Sequence, residues 1–167
     1  FTPRRKNPMK NASRKLLSYY FRDGKVYRIP FGPLRGLRMR YFPSLQYHMI
    51  LGLYDRTVMK CLWRVLVATG KIGGKRIYCD IGANVGMYSL WFSRLIPNGR
   101  VCSFEPTPSV YAKLEDNIQL NSQKNIISIQ KACSSEVGHA EFFIGNQSHE
   151  TSSLSAEWAG GGTNAQS

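Results

Sequence analysis

The chain has 167 residues, of which 43% are hydrophobic and 12% aromatic, so it is long and apolar enough to bury the core of one domain. No apolar run approaches the roughly 20 residues that a membrane-spanning helix needs. The net charge of +13 is uneven: residues 1–78 carry 18 Lys or Arg against 2 Asp or Glu, and residues 79–167 carry 5 against 8. This asymmetry indicates either an anionic partner for the first half or a solvated basic face without one.

The basic N-terminal part is predicted to span residues 1–50. It begins with a poorly ordered arm over residues 1–11 and continues as a short helix over residues 11–21, which either lies on an acidic membrane surface or docks on its own domain. Two strands follow, Lys25–Ile29 and Leu37–Tyr41, joined by a turn rich in Pro and Gly. The arginines of this hairpin alternate with aromatic residues, a pattern that suits a nucleic acid strand, although no recognised RNA-binding motif is present.

A longer helix is expected from Asp55 to about Thr69, with Asp55 as its N-cap. Apolar residues recur here at helical spacing and predict a buried face made of Val58, Cys61, Leu62, Val65 and Leu66. The helix should end at a run of glycines, Gly70, Gly73 and Gly74. It belongs to the second predicted domain, which spans residues 51–155.

The stretch from Arg76 to Pro106 contains a strand, a glycine turn, a helix and a second strand. The first strand is Ile77–Ile81, and it leads into a turn of small residues from Gly82 to Gly86. The helix is marked by apolar residues at helical spacing, Met87, Leu90, Trp91 and Leu95. The second strand, Val101–Phe104, ends at the carboxylate of Glu105. Glycines in such a turn let a ligand approach the backbone, and the following helix directs its free N–H groups at that ligand.

Three more elements and a tail complete the chain. Thr107 is a predicted N-cap, with Pro108 at the first helical position, and the helix runs to about Leu120 with a buried stripe at Val110, Leu114 and Ile118. A strand is expected at Ile126–Gln130 and an extended run at Ala140–Ile144. Residues 156–167 are polar and rich in Gly, and we expect them to be disordered.

The spacing of the acidic residues predicts a nucleoside site. Glu105 lies 19 positions after Gly86, about where an acidic side chain accepts hydrogen bonds from ribose hydroxyls in dinucleotide-binding folds. The dinucleotide pattern G-x-G-x-x-G fails because its third and sixth positions are Asn84 and Met87, which disfavours an NAD oxidoreductase. What remains is the pattern Asp80-x-Gly82-x-Asn84-x-Gly86. An ordinary strand–helix–strand unit whose turn binds nothing is the alternative.

Three blocks of the sequence resemble the FkbM-type family of class I methyltransferases. They read Asp80-Ile-Gly-Ala-Asn-Val-Gly-Met-Tyr-Ser-Leu, then Ser103-Phe-Glu-Pro-Thr-Pro, then Asn117-Ile-Gln-Leu-Asn121, in the family's order and spacing. The resemblance covers roughly residues 52–154. It implies an α/β fold with a Rossmann-like class I methyltransferase sheet, S-adenosyl-L-methionine as cofactor, and methylation of a hydroxyl on a sugar, glycan or small metabolite.

The resemblance also implies which residues hold the cofactor. Asp80 would face its cationic amino acid end, Glu105 its ribose, and the loop after the third strand its adenine ring. The full set of predicted cofactor-binding residues is Asp80, Gly82, Ala83, Asn84, Gly86, Tyr88, Glu105, Pro106, Lys131 and Ala132. An oxygen acceptor must also lose a proton to a base. His149 and Glu150 are weak candidates for that base, and a metal is not expected.

Two other functions stay open at this point. A methyltransferase acting on RNA would use the basic N-terminal half, and a non-catalytic module would use the fold for binding only. The four cysteines show no metal-binding spacing, which fits a reducing cytoplasm. The family continues with a later strand bearing a Lys-Ile-Asp-x-Glu-Gly-like block, which is not found here. We therefore expect an N-terminal portion, inactive by itself, whose Ile77–Ile81 strand lies at an open sheet edge.

Overall fold

The computed structural model describes residues 19–42, 47–136 and Gly138, together with the backbone of Phe142–Phe143 and Ala165–Gln166. The chain divides into two compact units, Phe1–Arg56 and Thr57–Ser167. The boundary therefore lies six residues later than the expected one after residue 50. The predicted arm, most of the first predicted helix, and the candidate bases His149 and Glu150 lie outside the described residues.

The first unit contains the predicted hairpin, with shorter strands than expected. Strand β1 (Val26–Arg28) pairs antiparallel with β2 (Arg38–Arg40), and Arg28 lies directly opposite Arg38. Because side chains alternate along a strand, the arginines of this register share one face, while Tyr27 and Met39 share the other. Met39 is fully buried, so the second face is the one turned to the interior of the unit.

The interior of the first unit combines aliphatic and aromatic side chains. A short helix, α1 (Tyr47–Ile50), follows the hairpin. The ring of Phe21 lies 5.2 Å from that of Tyr27, 5.6 Å from Tyr41 and 6.2 Å from Tyr47, measured between centroids. The buried aliphatic residues are Ile29, Leu34, Leu37, Met39, Met49 and Ile50. Burial of these apolar side chains stabilises a hairpin whose strands are too short to be stable by themselves.

Helix α2 (Arg56–Ala68) has the predicted extent, and the face that it buries matches the predicted one in part. Val58, Cys61 and Val65 are exposed, so the predicted buried face is wrong at these three positions. Of the predicted face, Leu66 is buried and Leu62 half-buried, and Met59, which was not predicted, is fully buried. Asp55, expected to cap the helix, has a left-handed φ of 47° and not the extended backbone that is typical of an N-cap.

The second unit is built on a parallel sheet with the strand order β3-β4-β5. Strand β3 (Ile77–Ile81) leads through helix α3 (Met87–Leu95) to β4 (Arg100–Phe104). Helix α4 (Pro108–Leu120) then leads to β5 (Ile126–Ile129). The predicted order of strands and helices is confirmed, and both helices of this sheet connect parallel neighbours. This is the topology of a Rossmann-like half-sheet.

The core of the second unit lies between the sheet and the two connecting helices. The predicted stripe of α4 is confirmed, since Val110, Leu114 and Ile118 are buried. Burial alternates along β4: Val101 and Ser103 are fully buried, whereas Cys102 and Phe104 are half-buried. This alternation identifies the face of the sheet that the helices cover.

The two outer strands of this sheet leave apolar side chains in solvent. Strand β3 pairs only with β4 among the described strands, as expected for an edge strand, and its Ile77 and Ile81 are exposed.

A further short pair joins β6 (Phe142–Phe143) and β7 (Ala165–Gln166). Ala165 and Gln166 therefore form a strand, whereas we expected them to be disordered. Within the described ranges, no helix is both long and apolar enough to cross a bilayer.

Candidate functional site

The carboxyl ends of the three parallel strands lie side by side at one edge of the sheet. Ile81 is in register with Phe104, and Phe104 with Ile129. The chain leaving β3 is tied to this row, because the N–H groups of Gly82 and Ala83 both donate to the carbonyl oxygen of Phe104, at 3.0 and 2.9 Å. The structure therefore brings together the predicted site residues that follow the three strands, which is the edge where open α/β sheets bind ligands.

The glycine turn has room above it and tight packing below it. Gly82 has a φ of 74°, and a Cβ at this position would meet nothing within 4 Å. Gly86 has a φ of 88°, and a Cβ there would lie 2.6 Å from Leu114 Cδ1, inside the core. Asn84 between them also has a left-handed φ, of 49°. Gly82 thus leaves open space for a ligand, while Gly86 allows helix α4 to approach the turn.

Glu105 holds the turn against the end of β4. Its Oε2 accepts the backbone N–H of Asn84 at 3.0 Å, and its Oε1 accepts that of Thr107 at 2.9 Å. The side chain is only 7% exposed, so these N–H groups satisfy a carboxylate that has lost most of its water. Each carboxylate oxygen can accept a second hydrogen bond, which leaves capacity for ligand hydroxyls.

Asp80 is the second carboxylate of the site, and it is half-buried. Ser89, in the first turn of α3, donates to Asp80 Oδ2 at 2.5 Å. Burial raises the pKa of the Asp80 carboxyl above its ordinary value of 3.8, the side chain and the backbone N–H of Ser89 oppose that shift, and the nearby charge of Glu105 raises it further. The two carboxylates border the same turn, since Asp80 lies at the end of β3 just before Gly82 and Glu105 accepts the backbone N–H of Asn84 within the turn.

Asn117 supports the turn from the side of α4, and its role was not predicted from the sequence. It is fully buried, and its Nδ2 donates to the carbonyl oxygen of Val85 at 2.9 Å. A signal for this role was present, since Asn117 is a polar residue beside the apolar stripe that contains Leu114 and Ile118. A buried amide in such a position must find partners, and here a partner is the glycine turn.

The other predicted site residues lie around the same edge. Tyr88 is half-buried in the first turn of α3, with its ring centroid 6.4 Å from that of Trp91. Pro106 is half-buried directly after Glu105. Lys131 and Ala132 are exposed just beyond β5. The candidate bases His149 and Glu150 are outside the described residues, so their placement stays a prediction.

Comparison with known proteins finds partial matches to methyltransferases. No protein-family model matches the chain. The chain is 37% identical over 60 residues to methyltransferase sdnD of Sordaria araneosa, which is 35% of this chain and 23% of that protein. It is 30% identical over 47 residues to methyltransferase 1 of Beauveria bassiana (strain ARSEF 2860), which is 28% of this chain and 19% of that protein. The chain therefore matches less than a quarter of the length of either relative.

Among solved structures, the chain is similar to precorrin-6y C5,15-methyltransferase from Geobacter metallireducens GS-15. The identity is 25%, the TM-score is 0.37, and the match covers 41% of this chain and 36% of that one. This is a weak overall likeness, so the fold assignment follows from the strand order and the glycine turn. The second unit is part of a Rossmann-like α/β fold.

Proposed function

We propose that this chain is the donor-binding part of an S-adenosylmethionine-dependent O-methyltransferase of the FkbM type, acting on a hydroxyl of a sugar, glycan or small metabolite. The observation that carries the proposal is that two carboxylates flank one glycine turn, Asp80 at the strand end before it and Glu105 hydrogen-bonded to its Asn84. The partial matches to methyltransferases support the reaction class. The assignment to the FkbM type and the class of acceptor rest on the three sequence blocks that resemble that family.

The charge of the site favours this donor over a dinucleotide. A pyrophosphate brings negative charge to the start of α3, where it would meet the carboxylate of Asp80 as well as that of Glu105. S-adenosylmethionine instead brings a sulfonium and an ammonium group, and both are attracted to this pair. The open space above Gly82 gives the ligand room to approach the backbone.

Each predicted residue has a distinct role in this proposal. Asp80 accepts the ammonium group of the donor, and Glu105 accepts the ribose hydroxyls with the lone pairs that its two backbone partners leave available. Gly82, Ala83 and Asn84 line the turn, and Tyr88 and Pro106 border it. Lys131 and Ala132, exposed beyond β5, lie against the adenine ring.

When bound, the donor supplies an electrophilic methyl group on sulfur. The acceptor oxygen attacks that carbon, the carbon–sulfur bond breaks to leave a neutral thioether, and the hydroxyl proton passes to a base. We keep His149 and Glu150 as candidates for this base. Orientation of the two reactants supplies up to about 7–11 kcal/mol of the acceleration, so the residues that fix the position of the donor contribute to catalysis.

Isothermal titration calorimetry tests the donor. We expect S-adenosylmethionine and S-adenosylhomocysteine to bind, NAD to give no heat, and Asp80→Asn to weaken the binding of both adenosyl ligands by about tenfold or more, because a charge-assisted hydrogen bond is lost. The matched control is Glu136→Gln, which removes an exposed carboxylate after β5. Binding of NAD in place of the adenosyl ligands would contradict the proposal.

A transfer assay tests the acceptor. Donor labelled on its methyl group is incubated with sugars, glycans and hydroxylated small metabolites, and labelled products are identified by mass spectrometry. Because we expect this chain to be inactive by itself, the assay uses a longer protein that contains it, and a methyl ether on oxygen is the expected product. Label on nitrogen or carbon would contradict O-methylation while leaving donor binding intact. All four cysteines are free thiols, and on that ground we place the reaction in the cytoplasm.

A second candidate substrate is RNA, and the charge of the hairpin favours it. Residues 19–42 carry six Lys or Arg and one Asp. Arg28 and Arg38 are exposed and directly opposite each other, so two positive charges lie side by side on this face, where an anion would meet both. Arg28 Nε also donates to the carbonyl oxygen of Gly36 at 3.3 Å. The remaining arginine of this face, Arg40, donates to the carbonyl oxygen of Gly24 at 2.7 Å.

Salt-dependent RNA binding tests this second candidate. If RNA is the partner, replacing Arg28 and Arg38 by Gln should weaken binding and reduce the slope of log K against log salt by about 0.7 for each phosphate that the variant no longer neutralises. Lys124→Gln is the matched control, because it removes an exposed cation from the second unit. Binding of anionic vesicles but not RNA would assign the hairpin to a membrane surface instead, and binding of neither would leave it a solvated face.

A further inference from the structure

Two buried serines connect the interior of the sheet to Asp80. Ser89 on α3 and Ser103 on β4 are both fully buried. Ser89 Oγ lies 2.5 Å from Asp80 Oδ2, and Ser103 Oγ lies 2.7 Å from Ser89 Oγ. The three side chains therefore form an unbroken hydrogen-bonded line that ends at the carboxylate of the predicted donor site.

The chemistry of the three groups fixes the direction of these hydrogen bonds. An ionised carboxylate can only accept, and a hydroxyl has a single proton to donate. Ser89 must therefore donate to Asp80, and it must accept the proton of Ser103. Both serine protons are committed to this arrangement, and a carboxylate that receives such a bond is held in one orientation.

We infer that Ser89, supported by Ser103, is a positioning residue that keeps Asp80 ionised and turns Oδ2 towards helix α3, so that the carboxylate presents its remaining lone pairs to the ammonium group of the donor. The identity of the ligand in this inference rests on the proposed function. The state of Asp80 in the free protein does not, and it can be measured separately.

The electrostatic surroundings make this support necessary. Burial and the charge of Glu105 both raise the pKa of Asp80, whereas the side chain and the backbone N–H of Ser89 lower it. Glu105, directly after β4, carries the same sign, and its charge opposes ionisation of Asp80. Without the Ser89 hydroxyl, two of the three remaining influences disfavour the ionised form that a cationic ligand requires.

The variant Ser89→Ala and a matched control test the inference. Ser93→Ala is that control: Ser93 lies one turn further along the same helix and is 2% exposed, but its hydroxyl contacts Leu90 and Gln123 instead of Asp80. Both variants delete one buried hydroxyl from α3. Ser103→Ala removes the supporting hydrogen bond and serves as a second variant should Ser89→Ala fail to fold.

The first measurement follows the Asp80 carboxyl by carbon-13 NMR as the pH is varied, in the free 167-residue chain. We expect Ser89→Ala to raise the pKa of Asp80, Ser103→Ala to raise it by less, and Ser93→Ala to leave it unchanged. An unchanged pKa in both Ser89→Ala and Ser103→Ala, or the same rise in Ser93→Ala, would overturn the inference, because the effect would then be absent or due to a loosened helix.

The second measurement is the affinity for S-adenosylhomocysteine as a function of pH. At pH 7 we expect Ser89→Ala to bind about tenfold more weakly than wild type, and the loss of binding on acidification to begin at a higher pH. Wild-type binding with an unaltered pH profile in Ser89→Ala would refute the positioning role. If wild type binds no adenosyl ligand at all, the proposed function fails, and the NMR titration still decides whether the serines hold Asp80.

Discussion

The carboxylate of Glu105 accepts the backbone N–H of Asn84 across 21 positions of sequence, at 3.0 Å. One oxygen of a predicted ligand-binding residue therefore closes the glycine turn onto the end of β4. Its other oxygen accepts the N–H of Thr107, at the start of α4. Glu105 thus supports the shape of the site as well as its charge, and the two roles can be separated by substitution.

Replacing Glu105 by Gln is the first prediction. Glutamine offers one acceptor oxygen where the carboxylate offers two, so one of the two backbone N–H groups loses its partner in a buried position. We expect the free energy of unfolding to fall by about 1–3 kcal/mol, measured by urea denaturation. Glu136→Gln is the control and should change it by less than about 0.5 kcal/mol. Equal stability of the two variants would show that the bonds of Glu105 contribute nothing net.

The glycines of the turn should differ in what they tolerate. Gly86→Ala places a Cβ against Leu114 in the core at a left-handed φ, whereas Gly82→Ala meets only the cost of its φ. We expect Gly86→Ala to lose about 1–3 kcal/mol more than Gly82→Ala in the free energy of unfolding, because overpacking adds to backbone strain.

The double variant Gly86→Ala with Leu114→Ala checks the cause of that difference. If overpacking is responsible, the cost of Gly86→Ala should shrink when Leu114 is truncated, and the coupling should appear in a double-mutant cycle. Additive costs would assign the whole effect to the backbone. Gly82→Ala should weaken donor binding more than Gly86→Ala does, because Gly82 faces the open side of the turn.

The exposed edge of β3 predicts self-association. Ile77 and Ile81 are 68% and 66% exposed on an edge strand. An apolar edge invites pairing with a second chain, so replacing both residues by Lys should raise the monomer fraction in light scattering, with a stability change within about 0.5 kcal/mol for each. Val65→Lys is the control, because Val65 is 57% exposed on helix α2, which has no free strand edge. An equal effect of the control would indicate general hydrophobic adhesion.

Local sequence patterns predicted the elements of the second unit well. The strand, turn, helix and strand from Ile77 to Phe104 follow from β-forming residues, glycines and helical spacing, and the structure confirms each of them. The N-terminal signal at Thr107-Pro108 also marks the start of α4, although no side-chain cap hydrogen bond forms there. These signals are local, so they are readable without knowledge of the tertiary contacts.

The wrong and missed predictions have a physical reason, because the burial of a side chain depends on which element packs against it. Helical spacing shows that α2 has an apolar face, but it does not show where that face ends: Leu66 is buried as predicted, whereas Met59 is buried in place of the exposed Val58 and Val65. The line from Ser103 through Ser89 to Asp80 joins three separate elements. Serines look alike in sequence whether they face solvent or a buried carboxylate, so only the register of β3 and β4 with the start of α3 reveals this contact.

Asp80 supplies the last prediction, which concerns the pH dependence of stability. Its pKa in the folded protein is raised above the ordinary value of 3.8, chiefly by burial. At a pH between the ordinary pKa and the raised pKa of the folded protein, the folded state binds more protons than the unfolded state. The contribution of Asp80 to the free energy of unfolding therefore falls as the pH rises through this range. Above the folded pKa the full penalty of a buried charge remains.

The variant Asp80→Asn has no such penalty and can still accept the hydrogen bond of Ser89. We therefore expect its melting temperature to exceed that of wild type at pH 7, and the difference to disappear as the pH falls below about 3.8. The same variant should lose donor affinity. Greater stability together with lost binding would show that the site keeps a costly charge for its ligand, which is a common cost of function. A variant less stable than wild type at pH 7 would show instead that the Asp80 charge is stabilised in the folded protein more than in water.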